Sequence, residues 1–223
     1  MDKKLLAKAL LRFFSGLILL AALLFLAAGS FGYWQAWLLL ALLFVPMFAA
    51  GLIMLKRSPE LLRKRLNLDE REAEQKTVLR LSALMFLLGF ILAGLGYRFG
   101  WSLLPDWLVF AAAGLFLLAY VFYAEVLREN AYLSRTVEVQ ENQQVIDSGL
   151  YGIVRHPMYS ATLLLFLCMP LILGSLPSFL VFCAYPFIIA KRIANEEKVL
   201  EEGLEGYGEY KTRVKYRLIP FVW

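Results

Sequence analysis

Long runs of apolar residues are the feature that most constrains how this chain can fold. Of its 223 residues, 61% are hydrophobic and 15% aromatic, and the mean hydropathy is +0.64. A bilayer crossing needs about 20 consecutive apolar residues. The runs predict six crossings, at residues 11–28, 33–55, 78–98, 106–127, 157–173 and 177–193. We therefore expect an all-α integral membrane bundle of about six spans, with the last two forming a short helical hairpin.

The positions of the lysines and arginines predict the orientation of these spans. Cytoplasmic loops of membrane proteins are enriched in lysine and arginine close to the ends of the spans. If the N-terminus is cytoplasmic, 22 of the 23 basic residues fall on the inner side and only Arg98 falls outside. We therefore expect both termini in the cytoplasm. The net charge of +5 follows from this topology and would attract the chain to the lipid bilayer. Nucleic acid is therefore not expected as a partner.

The chain is interpreted as a single membrane domain, 1–223, with a four-span N-terminal half at 1–128 and a C-terminal half at 129–223. Residues 56–77 mix charges with leucines, which predicts an amphipathic helix lying on the membrane or, alternatively, a lid. Residues 136–140 alternate apolar and polar side chains like a short strand. The segment around them is either an ordinary linker or a small cytoplasmic excursion that covers a pocket, and we expect a charged amphipathic helix after the last span.

Isolated polar residues within the spans have simpler interpretations. Glu125 lies about one turn inside the end of the fourth span, where an ionisable group is a functional candidate, although pairing with Arg128 explains it equally well. Cys168 and Cys183 lie in separate apolar spans and are expected to be small buried hydrophobic residues. With a single histidine in the chain, we expect no metal site.

Polar chemistry is concentrated in two segments at the ends of the last two spans. Arg155 and His156 precede Pro157, and proline suits the first turn of a helix. Arg192 and Glu196 are four residues apart and therefore share one face of a helix. Glu197 is the next residue and points to the adjacent face. A helical hairpin would return both segments to one membrane surface, where they could line a single pocket. Spacing alone favours a simple ion pair between Arg192 and Glu196.

The combination of motifs in order carries a family resemblance. Arg-His-Pro-x-Tyr at 155–159, a hydrophobic hairpin, Arg-x-x-x-Glu-Glu-x-x-Leu at 192–200, Tyr-x-x-Tyr and a C-terminal proline resemble the isoprenylcysteine carboxyl methyltransferase family. That family is related to the phospholipid N-methyltransferases. The resemblance covers residues 130–223, which would make 129–223 a methyltransferase-like catalytic half. One departure is Ala161, at a position where many members of the family have glycine.

The resemblance implies a function and a set of roles. S-adenosylmethionine would be the cofactor and S-adenosylhomocysteine the product, and the acceptor would be amphiphilic or lipidated, such as an isoprenylcysteine carboxylate. The cofactor would be bound by Arg155, His156, Tyr159 and Glu196. Arg192 and Glu197 would be catalytic residues near the acceptor, with Arg192 holding the carboxylate and Glu197 orienting the guanidinium. Methyl transfer mainly requires alignment of two reactants and exclusion of water, which suits a chain with few catalytic groups.

Three alternatives remain open from the sequence. The chain could methylate nitrogen or sulphur on a phospholipid or small amphiphile. It could be an NADPH-dependent membrane reductase, because sterol and steroid reductases have similar final helices, although the Glu196–Glu197 pair argues against this. It could also be a non-catalytic membrane scaffold. No glycine-rich strand-to-helix turn is present in the sequence, which excludes a Rossmann-type methyltransferase.

Overall fold

The structure, a computed structural model, describes residues 3–67, 73–101, 104–134 and 136–223. Within these ranges the regular structure is entirely helical, with nine α-helices and one 3₁₀ turn at Gly149–Gly152. The α-helices are α1 (Lys3–Ala28), α2 (Trp34–Arg57), α3 (Pro59–Arg65), α4 (Ala73–Phe99), α5 (Asp106–Glu129), α6 (Pro157–Ile172), α7 (Leu176–Phe182), α8 (Tyr185–Gly203) and α9 (Tyr207–Arg213). The expected all-α fold is confirmed.

The described helices account for the predicted crossings. Five stretches are long and apolar enough to cross a membrane, namely α1, α2, α4, α5 and the stretch Leu176–Gly203 that contains α7 and α8. Helix α6 is a shorter apolar helix of 16 residues. The chain is therefore an all-α membrane bundle. Helix α1 begins at Lys3, eight residues before the span expected at 11–28. Helix α4 begins at Ala73, five residues before the span expected at 78–98.

Small residues allow the N-terminal helices to pack closely. A Cβ atom at Gly94 of α4 would lie 2.6 Å from the Ala27 Cβ atom and 2.7 Å from the Leu24 carbonyl oxygen of α1. Only glycine permits this approach, as is common where membrane helices meet. Helix α1 joins α2 through a turn that begins at Gly29, whose φ of +64° favours glycine. The two helices therefore run antiparallel, with α4 packed against α1.

One end of the bundle is formed by the turns that join α1 to α2 and α6 to α7, and we call it the turn end. The buried Tyr33 hydroxyl donates to the Leu173 carbonyl oxygen at 2.6 Å. The Tyr33 ring stacks on Tyr97 near the end of α4, with ring centroids 4.4 Å apart. The start of α6 and the C-terminal part of α8 therefore lie at the opposite end, which we call the site end.

The hairpin of the last two crossings contains one interruption. Helix α6 turns into α7 at Gly174, which has a φ of +68°, and Ser175 caps α7 by accepting a hydrogen bond from the Ser178 N–H at 3.3 Å. Helix α7 ends at Phe182 and α8 begins at Tyr185. Pro186 explains the break, because proline has no N–H and its ring collides with the carbonyl four residues earlier.

The helix expected over residues 56–77 is not continuous. Helix α2 runs on to Arg57, α3 occupies Pro59–Arg65, and α4 already begins at Ala73. The part of the predicted helix at 68–72 lies outside the described residues. Pro59 ends α2 because the residue before a proline is disfavoured in a helix, and the same proline suits the first turn of α3.

The strand expected at 136–140 is wrong. These residues have no regular secondary structure, although alternating side chains suggested a strand. Their hydrogen bonds are local instead. The Gln140 backbone N–H donates to the Gln143 side-chain oxygen at 2.9 Å, and the Gln140 side-chain amide donates to the Tyr132 carbonyl oxygen at 2.5 Å. Side chains that bind nearby backbone groups compete with pairing in a sheet.

Glu125, near the end of α5, pairs with Arg128. The Arg128 Nε lies 2.8 Å from the Glu125 carboxylate.

Candidate active site

The C-terminal tail holds the start of α6 in place. The Arg155 N–H donates to the Tyr216 carbonyl oxygen and the His156 N–H to the Arg217 carbonyl oxygen, both at 2.9 Å. Pro157 is the first residue of α6, as the sequence predicted. Arg155 and His156 are therefore fixed at the mouth of this helix by backbone hydrogen bonds from a segment about 60 residues further along the chain.

Glu197 joins three segments at the site end. Its Oε1 accepts a hydrogen bond from Arg155 Nε at 2.7 Å and lies 3.2 Å from His156 Nε2. Its Oε2 accepts from Arg217 Nε at 3.0 Å. The Glu197 side chain is only 2% exposed. Because a buried carboxylate needs charged or polar partners, this cluster ties α8 to the start of α6 and to the tail.

This arrangement differs from the expected role of Glu197. The sequence suggested that Glu197 orients the Arg192 guanidinium, but its oxygens are bound by Arg155, His156 and Arg217. Consecutive helical residues point about 100° apart, so Glu197 faces the tail while Glu196 faces elsewhere. The Arg155 guanidinium also donates from Nη1 to the Val214 and Lys215 carbonyl oxygens, at 2.7 and 2.9 Å. Arg155 therefore holds the tail as well as Glu197.

A second set of polar side chains surrounds Tyr159 on α6. Arg192 Nε donates to the Tyr159 hydroxyl at 2.8 Å, and that hydroxyl donates in turn to the Glu196 carboxylate through a short hydrogen bond. The His156 ring stacks on Tyr159 with centroids 5.7 Å apart, and its Nδ1 lies 3.9 Å from Glu196 Oε1. Tyr159 thus connects Arg192 to Glu196 by two hydrogen bonds.

These side chains border an open cavity of about 100 Å³. Five of the six predicted site residues line the cavity: Arg155, His156, Tyr159, Arg192 and Glu196. Tyr151 and Met158 also line it, and the rest of the wall comes from segment 130–146 and from residues 200–210. The segment expected to cover a pocket therefore does border this one.

The covering segment 130–146 is anchored on both sides. Val139 and Val145 pack against a small apolar cluster made by Leu204, Tyr207, Tyr210 and Val214. On the other side, Arg65 of α3 lies within hydrogen-bonding range of the Ser134 carbonyl oxygen, at 3.4 Å. The cavity is therefore bordered on this side by chain that is itself held by α3 and α9.

Tyr207 lines this cavity and has an unpartnered, buried hydroxyl. Its side chain is 4% exposed, and within the described part of the chain its hydroxyl oxygen has no hydrogen-bond partner. Burial raises the pKa of Tyr207, and the negative charges of Glu197 and Glu196 raise it further, so the hydroxyl stays protonated. Buried polar groups are almost always hydrogen-bonded, so an unpartnered hydroxyl on a residue that lines the cavity is a candidate contact for a polar ligand.

Two other tyrosines of this region are also held in their neutral form. Burial raises the pKa of Tyr151 and of Tyr210. The Tyr210 hydroxyl donates to the Tyr151 carbonyl oxygen at 2.8 Å, which fixes α9 against the 3₁₀ turn before α6.

Among the residues that the structure describes, no group of three or more His, Cys, Asp or Glu side chains is arranged to hold a metal ion.

Sequence reasoning missed two residues that shape the site, Gln75 and Arg217. Gln75 is fully buried at 0% exposure and bonds to Arg192, yet it lies in a stretch interpreted as a surface helix. A signal was present, because Gln75 is followed at helical spacing by the buried Val78 and Met85 and so begins the inner face of α4. Arg217 gave no such signal, since it stands in a tail of mixed cations and aromatics.

Comparisons with known proteins agree with part of the sequence-based assignment. Residues 107–206 match the phospholipid methyltransferase family, a family that includes the isoprenylcysteine carboxyl methyltransferases. This confirms the predicted family resemblance over the matched segment. The chain is also similar to the delta(14)-sterol reductase of Mus musculus, with 32% identity over 91 residues, which is 40% of this chain and 22% of the reductase. It thus spans about a fifth of the length of that curated relative.

Proposed function

Because residues 107–206 match the phospholipid methyltransferase family, we propose that this chain is a membrane methyltransferase that uses S-adenosylmethionine. The preferred reaction is carboxyl O-methylation of an amphiphilic acceptor resembling an isoprenylcysteine. The observation that carries the proposal is the polar cavity at the site end, where Tyr159, Arg192 and Glu196 meet inside the matched segment.

The residues around the cavity fit the proposed cofactor. When bound, S-adenosylmethionine supplies a methyl group carried on a positively charged sulphur. Glu196 would accept hydrogen bonds from its amino group or ribose hydroxyls, and the Tyr207 hydroxyl would bind a further polar group. His156 and Tyr159 form a stacked wall beside Glu196. Arg155, held by Glu197, would contribute positive charge near the cofactor carboxylate.

Arg192 is proposed to hold the acceptor. Its guanidinium borders the cavity and is oriented by Tyr159, so an acceptor carboxylate bound there would lie beside the cofactor. A carboxylate oxygen is itself a nucleophile and needs no general base. The main tasks of the protein are then to align the reactants and to exclude water, for which the covering segment is suited. We assign Glu197 a positioning role, through Arg155 and His156, in place of direct catalysis.

We propose that the site end faces the cytoplasm, with both termini on that side, and that 129–223 is the catalytic half of a single membrane domain. Lys4, Lys8, Arg63 and Lys64 border an open cleft at the site end that shares Glu138 with the main cavity. Arg98 instead lies against Gly29 at the turn end. This distribution supports the orientation expected from basic residues, and it would let an amphiphile enter from the inner leaflet.

Titration calorimetry tests the proposal directly. The purified protein should bind S-adenosylhomocysteine, and Glu196→Gln should weaken that binding by roughly 10- to 100-fold, since a hydrogen bond to a charged group contributes about 1.5–3 kcal/mol. The exposed Glu125→Gln variant is the matched control and should bind as the wild type does. Absence of S-adenosylhomocysteine binding to the wild-type protein would refute the proposed cofactor.

The similarity to a sterol reductase supports a second candidate function. A 91-residue segment with 32% identity to the delta(14)-sterol reductase is compatible with a nicotinamide-dependent membrane reductase. The two functions differ in their cofactor, so titration with NADPH in parallel separates them. Binding of NADPH without binding of S-adenosylhomocysteine would favour the reductase. If S-adenosylhomocysteine binds, methylation of a prenylated cysteine and of an aminophospholipid should be compared, because the family also suggests a phospholipid acceptor.

A further inference from the structure

Gln75 contacts Arg192 through both ends of its amide. Its Oε1 accepts a hydrogen bond from Arg192 Nη1, and its Nε2 donates to the Arg192 carbonyl oxygen, both at 3.1 Å. The glutamine is completely buried, and it lies 117 residues away in the sequence, in the first turns of α4. One side chain thus fixes both the backbone and the guanidinium of a residue in α8.

The two sides of the Arg192 guanidinium are held by different helices. Gln75 of α4 binds Nη1, while Tyr159 of α6 accepts a hydrogen bond from Nε at 2.8 Å. A planar guanidinium bound at two of its nitrogens has little freedom to rotate, so its direction into the cavity is set. Gln75 itself does not border the cavity described above. It can therefore influence a bound acceptor only through Arg192.

A glutamine suits this position better than a glutamate. A neutral amide can donate and accept at the same time, which the two contacts with Arg192 require. A carboxylate could accept from the guanidinium but could not donate to the Arg192 carbonyl oxygen. It would also place a negative charge beside the group that is proposed to attract an acidic acceptor. The amide orients Arg192 without competing for its charge.

We propose that Gln75 is a positioning residue that aims Arg192 at the methyl acceptor, which brings the N-terminal half of the chain into the catalytic site. This inference rests on the proposed function for its link to turnover, but the contact itself does not. Gln75 lies outside residues 107–206, the segment that matches the family. The catalytic unit therefore extends beyond the matched segment to include the start of α4.

The test compares Gln75→Met, Gln75→Glu and the control Gln35→Met. Methionine has a similar length and makes no hydrogen bonds of this kind. Gln35 is also a buried glutamine, but it lies near Gly174 at the turn end. Each variant is assayed for S-adenosylhomocysteine affinity, for kcat and KM with N-acetyl-S-farnesylcysteine, and for the Arg192 Nε–H signal in protein carrying isotope-labelled arginine. Loss of that signal in Arg192→Lys assigns it.

Gln75→Met should lower kcat by roughly 10- to 100-fold with S-adenosylhomocysteine affinity unchanged, because small displacements of a positioning group have effects of this size. Gln75→Glu should mainly raise KM for the carboxylate acceptor. Gln75→Met should also speed the exchange of the Arg192 Nε–H with water, whereas Gln35→Met should change neither the kinetics nor this exchange. An unchanged Arg192 signal and unchanged kinetics in Gln75→Met would overturn the inference. If the wild type binds no S-adenosylhomocysteine, the proposed function fails, while the Arg192 signal still decides whether Gln75 holds the guanidinium.

Discussion

Replacing Glu197 by glutamine should destabilise the protein far more than the same change at its neighbour Glu196. Glu197 is 2% exposed and accepts hydrogen bonds from Arg155 and Arg217. Glutamine keeps the shape but removes the charge. Its amide nitrogen would also face a donor, either on Arg217 or on Arg155. The substitution therefore leaves buried cationic groups without their counter-charge.

The expected size follows from the burial of the pair. Removing one partner of a buried ion pair costs about 3–5 kcal/mol. For a chain of this length, each kcal/mol lowers the melting temperature by about 2–4 °C, so the melting temperature should fall by at least about 6 °C. Glu196 is 23% exposed and bonds to the Tyr159 hydroxyl on the cavity wall. Glu196→Gln should therefore change the melting temperature much less.

The assay is thermal unfolding of purified protein in detergent, followed by tryptophan fluorescence without any ligand. Glu125→Gln is a useful control, because Glu125 forms an exposed pair with Arg128 and exposed pairs contribute about 0–1 kcal/mol. A melting temperature for Glu197→Gln within about 2 °C of the wild type would refute the reasoning. So would a larger loss of stability in Glu196→Gln than in Glu197→Gln.

Three further changes test other parts of the structure. Arg192→Lys should reduce turnover more than S-adenosylhomocysteine affinity, measured by initial rates and calorimetry, because lysine cannot reproduce the two-sided contacts of the guanidinium. Tyr207→Phe should leave the melting temperature of ligand-free protein unchanged, since the hydroxyl lacks a described partner, but should weaken S-adenosylhomocysteine binding roughly twofold to tenfold. Gly89→Ala should lower the melting temperature measurably, because a Cβ atom there would lie 2.3 Å from the Phe182 ring.

The sequence predicted the large features of the fold because these depend on local composition. Runs of apolar residues long enough to cross a bilayer are visible without any partner, and so are prolines such as Pro157 that begin a helix. The strand expected at 136–140 failed for a related reason. Alternation alone cannot form a strand when the neighbouring backbone is bound by side chains such as Gln140 and Gln143.

The amino-acid pattern was enough to predict a helical membrane bundle whose polar segments could line one pocket, and in the structure Arg155, His156, Tyr159, Arg192 and Glu196 do border one cavity. Which group binds which depends on how the helices pack. Glu196 and Glu197 are identical in chemistry, and their separation by one helical step sends one to the cavity and the other to the tail. Gln75, which binds Arg192, lies 117 residues away in the sequence, and Arg155, which binds Glu197, lies 42 residues away. Helix packing therefore selects these partners, and no local pattern encodes that choice.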